Sequence, residues 1–157
     1  MRQRSKTAVT LLLIAVGMIF AALTSAMVVR RGLGGDWKAL PLTSLSLFNL
    51  IILAASSVTL EVAQRRNLQQ LRLIAFALGA VFVGLQLLVW RDLSLAGFSV
   101  AANPSSSFFY LISALHGVHV LGGLAALVLT RAVAATWYWH GMSILWTYLI
   151  VLFRWME

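Results

Sequence analysis

Five apolar runs, most of them of membrane-spanning length, dominate the sequence and leave little between them that could fold in water. They cover residues 7–29, 42–63, 73–90, 108–130 and 141–155. About 20 apolar residues in a helix cross the hydrocarbon of a bilayer. A chain in that medium must satisfy its backbone within its own helices. The expected fold is an all-α membrane protein: a five-helix transmembrane bundle, with residues 1–157 as a single transmembrane domain. Composition agrees, since 61% of the 157 residues are hydrophobic and 10% are charged, far from the values of a soluble domain.

The net charge of +8 would suggest nucleic acid in a soluble protein. Here the positive residues stand at span ends, where Lys and Arg set orientation and meet lipid head groups. Seven of them (Arg2, Arg4, Lys6, Arg65, Arg66, Arg72, Arg131) fall on the N-terminal side of the membrane and five (Arg30, Arg31, Lys38, Arg91, Arg154) on the other. The expected orientation is N-terminus inside, C-terminus outside. The first run is longer than a signal-peptide core, so an uncleaved first span is expected. Cysteine is absent, which excludes disulfides, thiolate metal sites and a thiol nucleophile.

The most informative stretch is FFYLISALHGVHVLGG, residues 108–123. His116 and His119 share one helix face at a spacing of three. Gly117, Gly122 and Gly123 remove bulk beside them, so another helix can approach closely. Polar groups at membrane depth need partners, and this segment reads as the helix around which the others pack. The second run carries a stripe of Ser46, Asn49, Leu53 and Ser56 at a spacing of three and four, expected to face other helices. Glu61 and Arg65 are placed for an i,i+4 pair. Pro41 suits the first turn of the second helix. Residues 64–72 read as a basic turn, 91–107 as the longest loop, and 131–140 as a short connection. In that connection Trp137, Tyr138 and Trp139 look like an interfacial aromatic belt. Trp37 and Trp90 are further candidates for lipid or interface anchors.

Residue chemistry nominates no active site. His116 and His119 alone fall short of the three or four ligands of a usual metal site, and His140 lies at the helix end, far from their depth. The four acids, Asp36, Glu61, Asp92 and Glu157, stand at or near span ends, so no relay of buried carboxylates crosses the membrane. Neither a Gly-x-Ser-x-Gly elbow nor a metalloprotease helix motif occurs. The residues describe a helical membrane subunit without its own catalytic site. An independent small transporter is the alternative of another class.

The motifs resemble subunit III of the haem-copper oxidases. Phe108-Phe109-Tyr110 and Leu115-His116-Gly117-Val118-His119-Val120-Leu121-Gly122-Gly123 are similar to that family's penultimate helix. Tyr138-Trp139-His140, with Trp146 beyond, is similar to the Trp-His start of its final helix. Arg30 or Arg31, Trp37, Leu40-Pro41, Asn49, Leu53 and Ser56-Ser57 follow its order upstream, and Gln86 with Trp90 matches its middle helix. The resemblance covers about residues 14–155 and fits a short five-helix form. It implies an accessory, non-redox subunit of a respiratory terminal oxidase that stabilises subunit I and binds phospholipid in a bacterial inner membrane. It also implies no catalytic or cofactor residue in this chain, haem and copper in partner subunits, other oxidase subunits as further partners, and no nucleic acid. An accessory subunit of a nitric oxide reductase is the alternative within the family. Where the family usually has intramembrane carboxylates, this chain has Val16, Val89 and Ser143, which weighs against a carboxylate-dependent role in proton uptake.

Overall fold

A computed structural model describes residues 2–42, 44–129 and 133–156, with side chains from residue 7 onward. Thr130, Arg131 and Glu157, and the side chains of Arg2, Arg4 and Lys6, named above, lie outside what is described. Five helices follow in order: α1 (Arg2–Leu33), α2 (Ser44–Arg66), α3 (Gln69–Leu95), α4 (Pro104–Leu129) and α5 (Val133–Trp155). No strand occurs among the described residues. Four helices, α1 from Thr7, α2, α3 and α4, are long and apolar enough to cross a membrane. α5 has 23 residues, about 35 Å of helix, but its ring-bearing and polar side chains make it less apolar.

The helix ends explain where the boundaries moved from those expected. The basic turn shrinks to Asn67 and Leu68. Asn67 takes the left-handed conformation at φ 54°, and Leu68 N–H donates to the Ala63 carbonyl at 3.0 Å, which closes α2 as a Schellman motif. α3 runs past Trp90 to Leu95 and stops the same way. Gly97 has φ 88°, Phe98 N–H donates to Leu93 at 2.9 Å and Gly97 N–H to Ser94 at 3.1 Å. The long loop is therefore much shorter than expected. Asn103 caps α4, its side-chain oxygen accepting from Ser106 N–H at 3.1 Å, and Pro104 follows as the first helical residue. Pro41 does not open α2, which begins at Ser44; it lies in the preceding loop, where Leu42 N–H bonds to the Leu40 carbonyl at 2.8 Å.

Of the connection expected at residues 131–140, residues 133–140 are instead the beginning of α5. Trp137, Tyr138, Trp139 and His140 occupy its early turns. Aromatic residues lower apparent hydropathy, but tertiary burial decides their conformation: Trp139 is fully buried and Tyr138 nearly so, while Trp137 is exposed. Only Trp137 of the three remains available to an interface.

The packing centre is also displaced. α4 packs against α1, α3 and α5; α5 packs against α1, α2 and α4. Through the Trp139 ring, which abuts Gly79, α5 reaches α3 as well. It is α5, not α4, that touches every other helix. The Arg31 guanidinium lies 5.7 Å over the Trp155 ring, so the C-terminal ends of α1 and α5 share one end of the bundle. There residues 34–42 are tied by the Arg30–Asp36 ion pair at 2.7 Å and by a hydrogen bond from the Ser105 hydroxyl to the Lys38 carbonyl.

A Cβ at Gly97 would meet nothing within 4 Å, so Gly97→Val should act through backbone strain alone. The expected loss is about 1–2 kcal/mol in denaturant unfolding of the detergent-solubilised protein. The Arg30 guanidinium beside Asp36 holds its carboxyl below the ordinary carboxylate range. A depressed folded-state value gives a contribution present above the unfolded value and lost as pH falls through the folded one. Acid titration should loosen the loop that holds Asp36 in wild type, as read by limited proteolysis, and should change little in Asp36→Asn.

Candidate functional site

The buried polar residues are the place to look for chemistry, because hydrocarbon makes each of them costly without a partner. The polar stripe of α2 does face inward: Ser46, Asn49, Ser56 and Ser57 are all buried. Asn49 donates from Nδ2 to Gln86 Oε1 at 3.0 Å, a cross-link from α2 to α3. Ser56 donates to the Ala75 carbonyl of α3 at 2.7 Å and accepts from Trp139 Nε1–H at 3.1 Å. One hydroxyl thus joins α2, α3 and α5.

Trp139 sits between two glycines on different helices. A Cβ built on Gly79 would lie 2.7 Å from its ring, and one on Gly123 would lie 2.9 Å away. Of the three glycines singled out in residues 108–123, only Gly123 meets another helix of this chain. Gly117 and Gly122 have nothing within 4 Å of an added Cβ. Gly79 was not anticipated; the available signal was two glycines, Gly79 and Gly84, in the apolar run of residues 73–90.

His116 and His119 share one neighbour, Phe20, while His140 lies in a different part of the bundle. His140 lies in the second turn of α5, with its Nδ1 2.5 Å from the Ser57 hydroxyl and its Nε2 3.1 Å from a Glu61 carboxylate oxygen. A carboxylate only accepts, so Nε2 carries a proton and, in the neutral ring, Nδ1 accepts from Ser57. The expected Glu61–Arg65 pair is present at 2.6 Å, which makes Glu61 a bridge between His140 and Arg65. His119 is half-buried and turns Nδ1 to the Leu115 carbonyl of its own helix at 2.7 Å; Tyr138 donates to the His119 carbonyl at 3.0 Å. His116 is fully buried, stacked on Trp146 at 4.8 Å with Phe82 at 5.9 Å and Phe20 at 6.3 Å presenting edges. Phe20 touches both His116 and His119, a contact no spacing rule indicated. Among the described residues no group of three or more His, Cys, Asp or Glu could hold a metal ion.

Trp90 is half-buried and donates to Ser113 at 2.9 Å, and Tyr110 returns a bond to the Trp90 carbonyl at 2.8 Å. Trp37 is also half-buried and packs against the core. Most of these hydrogen bonds join one helix to another, across α2, α3, α4 and α5.

A probable cytochrome c oxidase subunit 3 of Mycobacterium tuberculosis is 32% identical to this chain, across 74% of the chain and 70% of that protein. The chain belongs to the cytochrome c oxidase subunit 3 family. Vertebrate subunit 3 proteins are similar too. That of Rattus norvegicus is 30% identical across 88% of this chain and 62% of its own length. That of Danio rerio is 29% identical across 89% and 63%. No family model matches the chain. As a subunit 3 protein with four helices of spanning length and composition, it is a multi-pass membrane protein. Val16, Val89 and Ser143, where the family resemblance would place carboxylates, are all buried. Ser143 donates to the Trp139 carbonyl of its own helix at 3.1 Å.

A side chain at Gly79 must displace the Trp139 ring, whereas one at Gly117 enters open space. Gly79→Ala should cost about 1–3 kcal/mol, the range for overpacking a tight core, and Gly117→Ala should be near neutral, in paired detergent unfolding curves. Equal effects at the two sites would contradict the Trp139 wedge.

Proposed function

We propose that this subunit 3 protein is an accessory, non-redox subunit of a respiratory terminal oxidase in a bacterial inner membrane, with its N-terminus inside. Partner subunits carry haem and copper and reduce oxygen. This chain stabilises subunit I and holds phospholipid. The observation that carries the reading is the similarity to cytochrome c oxidase subunit 3 proteins along most of the chain. The geometry supports it, because the buried polar groups serve helix packing. Exposed apolar side chains line the outside of every helix, as a surface covered by lipid or by partner helices requires.

Orientation follows from the excess of positive residues at the end that holds Arg65, Arg66 and Arg72. Lipid is supported by the exposed apolar faces and by Trp137 on the surface of α5.

The direct test is affinity purification of the tagged chain in mild detergent, with a reduced-minus-oxidised spectrum and mass spectrometry of what accompanies it. Haem bands together with a large multi-span partner are the expected result. A colourless, partner-free protein would remove the accessory-subunit reading. His119→Leu removes a half-buried polar ring while leaving every backbone bond of α4. It should lower the amount of chain recovered with the complex and leave oxygen reduction per haem unchanged.

A further inference from the structure

We propose that the bundle encloses a small cluster of ordered water molecules, held by His116, Trp146 and the Asn49–Gln86 pair. Among the described residues, both ring nitrogens of His116, Trp146 Nε1, Asn49 Oδ1 and Gln86 Nε2 are buried without a hydrogen-bond partner. Leaving such groups bare costs on the order of 1–3 kcal/mol each, and native proteins rarely accept it.

The four residues converge from four helices. Trp146 of α5 is stacked on His116 of α4 at 4.8 Å. Phe82 of α3 packs its ring against both, 5.9 Å from His116 and 5.5 Å from Trp146. Gln86 is one turn beyond Phe82, about 6 Å along α3, and holds Asn49 of α2 at 3.0 Å. Gln86 and Phe82 line a groove of about 230 Å³ together with Ser113 and Gly117 of α4, so Gln86 lies at the level of α4 from which His116 projects. Two groups sharing one water stand about 5.5 Å apart, twice an ordinary hydrogen bond. Under this proposal one or two waters link the His116–Trp146 pair to the Asn49–Gln86 pair.

The chemistry of the set selects the ligand. A neutral imidazole needs one acceptor and one donor, Trp146 Nε1 and Gln86 Nε2 need acceptors, and Asn49 Oδ1 needs a donor. Only a ligand that both donates and accepts serves all of them. His116 has 0% exposure, so no partner subunit can reach it, and an acyl chain offers neither donor nor acceptor. Water is small enough to be enclosed, and buried waters typically make about three such bonds.

The test uses the assembled complex isolated from native membranes, with the chain labelled with ¹⁵N and returned to lipid bilayers. Water-edited solid-state NMR reads transfer from water protons to the His116 ring nitrogens, assigned by their absence in His116→Phe. Transfer within the bundle, with ring shifts of a hydrogen-bonded neutral imidazole, is the expected result. Gln86→Leu keeps His116 in place and should remove most of that transfer. Two results overturn the proposal: no transfer in the wild type, or a direct correlation showing His116 bonded to Gln86 or Asn49 without water. Should His116→Phe fail to assemble, assignment passes to selective ¹⁵N labelling of His116 by chemical-shift correlation with Leu115 and Gly117.

Discussion

The bundle depends on one indole. Trp139 enters the space that Gly79 and Gly123 leave free, and its N–H reaches a serine hydroxyl already committed to a backbone carbonyl. In hydrocarbon the usual hydrophobic drive between helices is absent, since lipid tails are as apolar as leucine. Association there rests on close packing and on hydrogen bonds that lipid cannot replace. Trp139 supplies both at a single point, and four of the five helices meet it. Removing either glycine would force the ring out. Removing Ser56 would strand the indole N–H in a medium with no other acceptor.

The remaining polar contacts extend the same device along the bundle. Trp90, Ser113 and Tyr110 close a reciprocal pair between α3 and α4. Thr24 of α1 and Tyr148 of α5 have hydroxyls 3.0 Å apart. Ser57, His140, Glu61 and Arg65 form a chain from the buried face of α2 to its exposed end. Each joins residues of moderate polarity whose partners are fixed by the helix frame. Together they set rotation and register more than they add stability, since such bonds average well under 2 kcal/mol in a membrane.

Much of this was legible in the sequence, and the limits have physical causes. Apolar run length gave the helix count, and the three-four stripe of α2 gave its buried face, because hydrocarbon enforces both. The Glu61–Arg65 pair followed from helix geometry alone. The start of α5 did not follow, because a Trp-Tyr-Trp-His segment suits an interface as well as a core and only its neighbours decide. Gly79 illustrates the same limit: a glycine in an apolar run carries no mark of the ring it accommodates. Gly117 and Gly122 were the converse error, since spacing placed them beside the histidines while the helix turned them toward open space. Of the candidate residues, Asn49 and Gln86 bond to each other, Trp139 abuts Gly123, and His116 and His119 share the Phe20 ring, while His140 joins Ser57 and Glu61.

The three positions where the family resemblance would place carboxylates show why such a chain can do without them. Val16 and Val89 are 3% and 1% exposed, and Ser143 turns its hydroxyl back to its own helix. A carboxylate at any of them would need a cation or several donors to offset its burial; Arg91, two residues beyond Val89, is exposed and on another face of α3. The cations that are present stand at helix ends, where Arg65 meets Glu61 and Arg72 bonds to Gln64 and the Leu127 carbonyl. Neutral packing at Val16, Val89 and Ser143 is therefore consistent with the rest of the interior, where among the described residues the buried polar side chains are Ser, Thr, Asn, Gln and His. Charge has been kept to the ends of the bundle, and the middle is held by indole, amide, hydroxyl and imidazole groups alone.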